Sequence, residues 1–333
     1  MLRGARRSIF CIFMLLSCFA SAHASDADPN RHVIVMDQTV DRLWAVNVMI
    51  DGQGPFRMIV DTAAAISSVR DTVPAQLGHM AQADQYMVHG LLGVEAAPAF
   101  TATTHAGGLS SNGPLLVLND RDAIRDPSVD GLIGLDLLTS QVSDRRYLML
   151  DFNRGLIETS DDLRDLKLPR NMKWTRQTKT GRDLGFLSIP ITIEGRKAIG
   201  LIDTGINFAV ANEALGTALK KRGSQISTTP FVDVNGEERM LKSARVGTIR
   251  GARMVWAGST IMIHDAPAVR KLVDADQPVL LIGLQHLRKM VVVVDRAQHK
   301  LAIGADREMY TRESCTGSRI ACNSGMKSII TKN

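Results

Sequence analysis

Two aspartates of this chain lie in closely similar surroundings, 142 residues apart. Asp61 follows an apolar run and precedes a threonine and small residues, in FRMIVDTAAAISSV. Asp203 does the same in IGLIDTGINFAV. An isolated carboxylate at the end of an apolar strand is costly to bury, so each aspartate needs a partner. We therefore predict that the two carboxylates meet in the folded chain.

Two adjoining carboxylates can perform acid–base chemistry. In a water-poor cleft they cannot both ionise, so they share one proton and titrate in two steps. The ionised member can take a proton from a water molecule while the protonated member donates to a carbonyl oxygen. This chemistry requires neither a metal nor a cofactor, and we predict none.

The sequence around each aspartate is repeated in the same order. Each half contains two β-rich runs joined by a turn, the Asp-Thr segment, an apolar-apolar-Gly run, and a strand that ends in Asp before a hairpin. Four matched features in one order indicate an internal duplication. The matched turns are Asp51-Gly52 and Glu194-Gly195; the apolar-apolar-Gly runs are VDGLIGLDLL (129–138) and PVLLIGLQHL (278–287); the final hairpins begin at 147 and 290.

Short strands separated by Gly, Asn, Asp and Pro dominate. Helix signals are few: the clearest is at 211–223, a shorter one is at 71–78, and a short helical turn is expected after each apolar-apolar-Gly run. This pattern predicts an all-β protein with two pseudo-symmetric β-barrel lobes and a cleft between them. The predicted division is a leader (1–24), an N-terminal lobe (25–160), a linker (161–183), a C-terminal lobe (184–308) and a tail (309–333). Residues 25–40 are either a short propeptide or an N-terminal strand.

Over residues 40–305 the chain resembles the retropepsin-like aspartic peptidases, in a duplicated single-chain form. The resemblance is carried by Asp61-Thr62, by Asp203-Thr204-Gly205 and by the apolar-apolar-Gly runs that follow each. It implies an aspartic endopeptidase with Asp61 and Asp203 as the catalytic pair. It also implies that Thr62 and Thr204 hydrogen-bond to the opposite loop and hold the carboxylates coplanar. Gly205 is expected to allow close backbone approach and an unusual φ.

The first loop departs from the family pattern, because Ala63 stands where the family has glycine. If that position needs positive φ, the alanine strains the loop and the pair is misplaced. If φ is negative, alanine is nearly free of strain. The methyl group also lies where substrate backbone is expected to pass.

The family places a hairpin that closes over substrate between each Asp loop and its glycine run. The candidates here are 85–96, with His89 and Gly90, and 230–241, with Asn235 and Gly236 in a tight turn. Both segments are equally compatible with ordinary edge hairpins. Asp151 and Asp295 end strands and precede turn-like residues, so we predict turn or capping roles for them.

The first 24 residues have the pattern of a secretory signal, with a basic start, a short apolar run and Ala22-His23-Ala24 as cleavage site. This predicts a periplasmic or secreted protein; a lipoprotein with Cys18 in a poor lipidation box is the alternative. Cys315 and Cys322 would then remain in the mature chain, as a disulfide or as free thiols.

The charge and composition exclude several classes of function. The formal charge is +6, and loss of the three arginines in the leader lowers it to +3. This positive charge is too small and too dispersed to indicate nucleic-acid binding. We predict a monomer without a membrane span that acts on a peptide or protein. The alternatives are a catalytically inactive peptide-binding envelope protein and a structural or chaperone-like protein with the same fold.

Overall fold

The computed structural model describes residues 31–80, 82–91, 93–118, 126–139, 145–170, 172–178, 185–221, 223–232 and 238–305. The predicted leader, the whole of the predicted tail with Cys315 and Cys322, and the flap residues Asn235 and Gly236 lie outside these ranges. Among the described residues, no helix combines the length and apolar character required to cross a membrane.

Strands make up most of the described chain. They are β1 (Arg31–Val35), β2 (Asp37–Gln38), β3 (Trp44–Ile50), β4 (Gln53–Val60), β5 (Ser68–Arg70), β6 (Gln82–His89), β7 (Val94–Ala106), β8 (Leu109–Leu118), β9 (Gly131–Ile133), β10 (Tyr147–Asp151), β11 (Leu156–Ser160), β12 (Trp174–Arg176), β13 (Ser188–Ile193), β14 (Arg196–Ile202), β15 (Ala209–Ala211), β16 (Ile226–Val232), β17 (Glu238–Gly251), β18 (Met254–Ile263), β19 (Val279–Ile282), β20 (Met290–Asp295) and β21 (Lys300–Ala305). The helices are α1 (Thr72–Leu77), α2 (Leu135–Leu138), α3 (Glu213–Lys220), α4 (Pro267–Leu272) and α5 (Leu284–Leu287), with a 3-10 turn at Leu163–Asp165.

Each half of the chain forms its own sheet with the same strand arrangement. The N-terminal sheet has the order β2-β3-β4-β9-β5-β8-β7-β6, and β3 also pairs with β7. The C-terminal sheet has the order β13-β14-β19-β15-β18-β17-β16, and β13 also pairs with β17. The additional pairing in each lobe curls the sheet back on itself, as closure into a barrel requires. The prediction of a two-lobed, mostly β fold is confirmed.

The hairpin turns explain why the repeat could be detected from sequence. β3 and β4 are joined at Asp51 and Gly52, with φ of 47° and 76°, and β13 and β14 at Glu194 and Gly195 with the same two values. Positive φ at both central residues is the turn geometry that matches strand twist and that favours Asp-Gly-type sequences. The second repeat tolerates Glu194 because its carboxylate accepts hydrogen bonds from the amides of Gly247 and Thr248 (2.9 Å for Thr248).

A third sheet joins the lobes. Its order is β1-β11-β10-β20-β21-β12, so the final hairpins of the two halves lie side by side. β10 and β20 are antiparallel, with Met149 opposite Val293 at the centre of the pairing. β1 forms one edge, where Arg31 contacts the fully buried Glu158 at 2.6 Å. The sequence left residues 25–40 as either a short propeptide or an N-terminal strand. Of these, residues 31–35 form a strand in the structure.

Part of the predicted linker belongs to this shared sheet. β12 pairs with β21, with Thr175 opposite Leu301. An apolar cluster covers one face of the sheet, and linker side chains supply half of it: Leu163, Leu166, Leu168 and Met172 pack with Tyr147, Met149, Val291 and Val293. Each well-buried aliphatic side chain contributes about 1.5–3 kcal/mol relative to exposure. The segment thus helps to fix the lobes together.

Candidate active site

The two Asp loops begin at equivalent places in the two lobes. β4 runs parallel to β9, and β14 runs parallel to β19. At the ends of these strand pairs the amide of Asp61 donates to the carbonyl of Ile133 (2.9 Å), and the amide of Asp203 donates to that of Ile282 (3.1 Å). The apolar-apolar-Gly runs therefore position the backbone of both aspartates.

Thr62 and Thr204 connect the loops across the lobe boundary. The Thr62 hydroxyl donates to the carbonyl of Ile202 (2.8 Å), and the Thr204 hydroxyl donates to that of Val60 (2.6 Å). Each hydroxyl also accepts from the opposite threonine amide, at 3.0 and 3.2 Å. Both side chains are fully buried. Buried hydrogen bonds of this kind are costly to break, because each lost partner leaves an unsatisfied group. The loops are thus held at fixed separation.

The two carboxylates lie in different hydrogen-bond environments. One oxygen of Asp61 accepts from the amides of Ala63 (2.8 Å) and Ala64 (3.2 Å). Asp203, only 5 % exposed, accepts from the amide of Gly205 at 3.0 Å. Burial raises the pKa of Asp61, and the two amides partly oppose this. The pKa of Asp203 is raised well above its ordinary value by burial and then by the neighbouring Asp61 charge.

Gly205 is required for space rather than for its backbone dihedral. A Cβ at this position would lie 2.5 Å from one carboxylate oxygen of Asp61 and 2.6 Å from its Cγ. Gly205 does not have positive φ, so the expected unusual dihedral is wrong. The physical reason for the glycine is that the carboxylate of Asp61, from the other lobe, occupies the space where a side-chain methyl group at position 205 would lie. Ala63 also lacks positive φ, so its methyl group carries no dihedral strain.

Sequence reasoning missed a buttress behind the first loop. Asp136 accepts from the Ser67 hydroxyl (2.7 Å) and the Ser67 amide (3.0 Å). The same hydroxyl accepts from the amide of Gly134 (3.0 Å). Burial raises the pKa of Asp136. A serine six residues after Asp61 and an acid two residues after the glycine were both visible in the sequence, but only folding places them together.

The glycines of the apolar-apolar-Gly runs allow the loops to pass close by. A Cβ on Gly134 would lie 2.8 Å from the carbonyl oxygen of Ala64, and one on Gly283 would lie 2.0 Å from that of Phe208. In each lobe the amide after the glycine bonds to the loop: Leu135 to Ala64 (2.9 Å) and Leu284 to Ile206 (2.8 Å). These close contacts require a residue without a Cβ at Gly134 and at Gly283.

The first candidate flap is a hairpin between β6 and β7. His89, the last residue of β6, is partly buried and pairs with Val94, and Gly90 begins the turn. The second candidate flap corresponds to the antiparallel pair β16 and β17; Asn235 and Gly236, between these strands in sequence, lie outside the described residues. The structure therefore locates His89 and Gly90 but not the other two.

Asp151 and Asp295 have the turn roles predicted for them. Asp151 accepts from the amides of Asn153 (2.9 Å) and Arg154 (2.8 Å), and Asp295 accepts from the amide of Gln298 (3.1 Å). Across the residues that the structure describes, no three His, Cys, Asp or Glu side chains are grouped as a metal ion would require.

Comparisons with known proteins agree with the observed fold. Residues 46–137, which include the first Asp loop, match the family model for aspartyl protease. The solved structures similar to this chain include an aspartic proteinase from Irpex lacteus, with 15 % identity and a TM-score of 0.53. The match covers 83 % of this chain and 98 % of that one. The curated proteins contain no significant match.

The fold is therefore that of an aspartic proteinase, and the first lobe carries the sequence pattern of an aspartyl protease. The predicted resemblance to aspartic peptidases is confirmed. Family pattern and fold together support a protease-like hydrolase.

Proposed function

We propose that this protein is an exported aspartic endopeptidase in which Asp61 and Asp203 activate a water molecule. The observation that carries the proposal is the reciprocal hydrogen bonding of Thr62 and Thr204, which joins the two loops and brings the Asp61 carboxylate against Gly205. Two aspartates held close together on different lobes support a pair of carboxyl groups that share one proton and act as acid and base.

The surroundings of the two carboxylates support one position for the shared proton. Asp61 receives two backbone amides, which favour its ionised form, whereas Asp203 receives one and is more deeply buried. Asp203 therefore holds the proton and Asp61 carries the charge between the two macroscopic titrations of the pair. Because the pKa of Asp203 is raised well above its ordinary value, activity extends above the pH at which a free carboxyl group ionises.

The reaction follows from that assignment. Asp61 accepts a proton from the water molecule while the oxygen of that water bonds to the carbonyl carbon of the peptide. At the same time Asp203 gives its proton to the carbonyl oxygen. The tetrahedral diol then collapses. The carbonyl re-forms, its hydroxyl proton returns to Asp203, Asp61 gives its proton to the leaving nitrogen, and the C–N bond breaks. Both aspartates end in their starting states.

Location and assembly are part of the proposal. The signal-like residues 1–24 support a periplasmic or secreted protein. One chain supplies both aspartates, which supports action as a monomer. Apolar residues around both loops, among them Ile66, Ile206 and Phe208, favour substrates with apolar side chains.

The test is cleavage of a mixed peptide library across a pH range by the wild type, Asp61→Asn, Asp203→Asn and the exposed control Asp276→Asn. We expect each of the first two variants to lose about 10²–10⁴-fold or more in rate, because each removes one acid–base group. The control should cleave like the wild type. A transition-state-mimicking statine peptide should bind the wild type and protect it thermally.

The outcome of this test separates the alternatives. Peptide binding without cleavage, unchanged in Asp203→Asn, would establish the peptide-binding protein instead. A folded protein that neither cleaves nor binds would leave the structural or chaperone-like protein. Cleavage that persists undiminished in both Asn variants would show that another group performs the chemistry.

A further inference from the structure

The turn that follows β6 contacts the opposite lobe. Within this turn, the backbone amide of Gly90 donates a hydrogen bond to the carbonyl of Gly93 (2.9 Å). The carbonyl oxygen of Gly90 then accepts from the amide of Ala268 at 3.2 Å. Ala268 lies in the first turn of α4, in the C-terminal lobe. This hydrogen bond therefore ties the tip of an N-terminal hairpin to a C-terminal helix.

The neighbouring residue makes an apolar contact with the same lobe. Leu91 is partly buried and packs against a C-terminal cluster that includes Ala266, Val269 and Leu281. The same cluster is flanked by Ile206 and Phe208, which follow Asp203 by three and five residues. One apolar cluster of the C-terminal lobe thus contacts both Leu91 and residues that follow Asp203.

The helix depends on the hairpin for a hydrogen-bond acceptor. Ala266, at the N-cap position of α4, makes no side-chain cap, and Pro267 begins the helix. The first amides of a helix have no acceptor within it, so they need a cap, water or another part of the chain. The carbonyl of Gly90 fills this need for Ala268. A polar and an apolar contact thus hold the same turn.

We propose that Gly90, Leu91 and Gly93 form a latch, in which Leu91 occupies an apolar side-chain subsite of the C-terminal lobe and holds the hairpin closed until substrate displaces it. The subsite role rests on the proposed peptidase function; the latch itself does not. The occupant is Leu91 of this chain in the closed state and an aliphatic substrate side chain of similar size in the open state.

Two consequences follow from this competition. Substrate must break the contact of Leu91 before its own side chain can use the apolar surface, so the latch raises KM for peptides. The surface already accommodates leucine, so at this subsite the enzyme should prefer Leu, Ile and Met to Asp, Lys or Trp.

The first experiment measures the latch without measuring catalysis. Amide hydrogen exchange at 82–94 and at Ala268 is compared between wild type, Leu91→Asp and the milder Leu91→Ala. Burial of part of a leucine changes an opening equilibrium by roughly tenfold. We expect exchange at both segments to accelerate by about that factor in Leu91→Asp and by less in Leu91→Ala. Unchanged exchange at Ala268 in both variants would overturn the latch.

The matched control lies in the same turn. Gly93 has no positive φ, and a Cβ added there would meet no atom within 4 Å. Gly93→Ala should therefore leave exchange at Ala268 at the wild-type rate. Acceleration in the control equal to that in Leu91→Asp would show that any change to the turn loosens the hairpin, which contradicts a specific role for Leu91.

The second experiment uses the same variants with peptide substrates. We expect Leu91→Ala to lower KM several-fold, with a smaller change in kcat. Faster exchange with an unchanged or raised KM would overturn the competition between Leu91 and substrate. Faster exchange in a protein that cleaves no peptide, wild type included, would support the latch and overturn the peptidase proposal.

Discussion

The two Asp loops come from one repeated sequence pattern, yet the structure gives them different surroundings. The first loop has Ala63, a carboxylate held by two amides, and the buttress formed by Ser67 and Asp136. The second has Gly205 and one amide on its carboxylate. In place of Asp136 it has Gln285. The backbone N–H of Gln285 donates to the carbonyl of Asn207 (3.0 Å), as that of Asp136 donates to the carbonyl of Ala65 (3.3 Å), so the loops differ here in the side chain only.

In the proposed mechanism, this difference gives two chemically equal groups separate roles as acid and base. The hydrogen bonds of the threonines are reciprocal and hold the two loops together. The backbone amides on the two carboxylates and the burial of these carboxylates are unequal and favour the shared proton on Asp203.

The largest effect should come from Gly205→Ala. The added methyl group would lie 2.5–2.9 Å from the carboxylate atoms of Asp61, so that carboxylate must move. A displacement of about 1 Å in a catalytic group costs roughly 10²-fold in rate. We expect that loss in kcat for a peptide substrate, with far-ultraviolet circular dichroism unchanged. Wild-type activity in this variant would show that Asp61 is not held against Gly205.

Removal of the Thr62 hydroxyl and removal of the Thr204 hydroxyl should destabilise the protein by similar amounts. Thr62→Val leaves the carbonyl of Ile202 and the amide of Thr204 without a partner, and Thr204→Val does the reciprocal damage. Each variant should lose about 1–3 kcal/mol in free energy of unfolding by urea titration. Thr→Ser at the same positions keeps the hydroxyl and should lose less. A clear inequality between the two valine variants would disprove equal bracing.

The unequal proton affinities should appear in the pH dependence of stability. The raised pKa of Asp203 in the fold means that its contribution to stability is complete below the pKa of the unfolded chain and is lost as pH rises through the folded pKa. The Asp203→Asn variant has no carboxyl group at this position, so its stability does not show this loss. Its Tm should therefore rise relative to wild type as pH increases above about 4. A Tm difference that stays constant with pH would refute the assignment.

The smallest effect should come from Ala63→Gly. Ala63 has no positive φ, so glycine relieves no strain and adds freedom to the unfolded chain. We expect a loss of about 0.4–1 kcal/mol in stability and a change in kcat of only a few-fold. Together with Gly205→Ala, this variant tests whether the two equivalent positions differ in space. A large gain in activity would instead identify Ala63 as the residue that silences the site.

The duplication, the two lobes and the candidate pair could be predicted because strands, turns and the Asp-Thr pattern have local signals. Asp51-Gly52 and Glu194-Gly195 mark hairpins by their own chemistry. The role of residues 161–183 could not be predicted, because β12 is defined by pairing with β21, far along the chain. The buttress of Ser67 and Asp136 and the space beside Gly205 likewise depend on tertiary distances that no local pattern encodes.

The shared sheet also has a kinetic consequence. Met149 and Val293, paired at its centre, are 144 residues apart, and Thr62 and Thr204 are 142 apart. The entropy of closing such long loops must be paid before these contacts form, which slows folding. The sheet of each lobe contains strands of one half of the chain only, whereas the shared sheet and the contacts between the Asp loops need both halves. During refolding, β-structure within the lobes should therefore appear before the hydrogen bonds between Thr62 and Thr204 form.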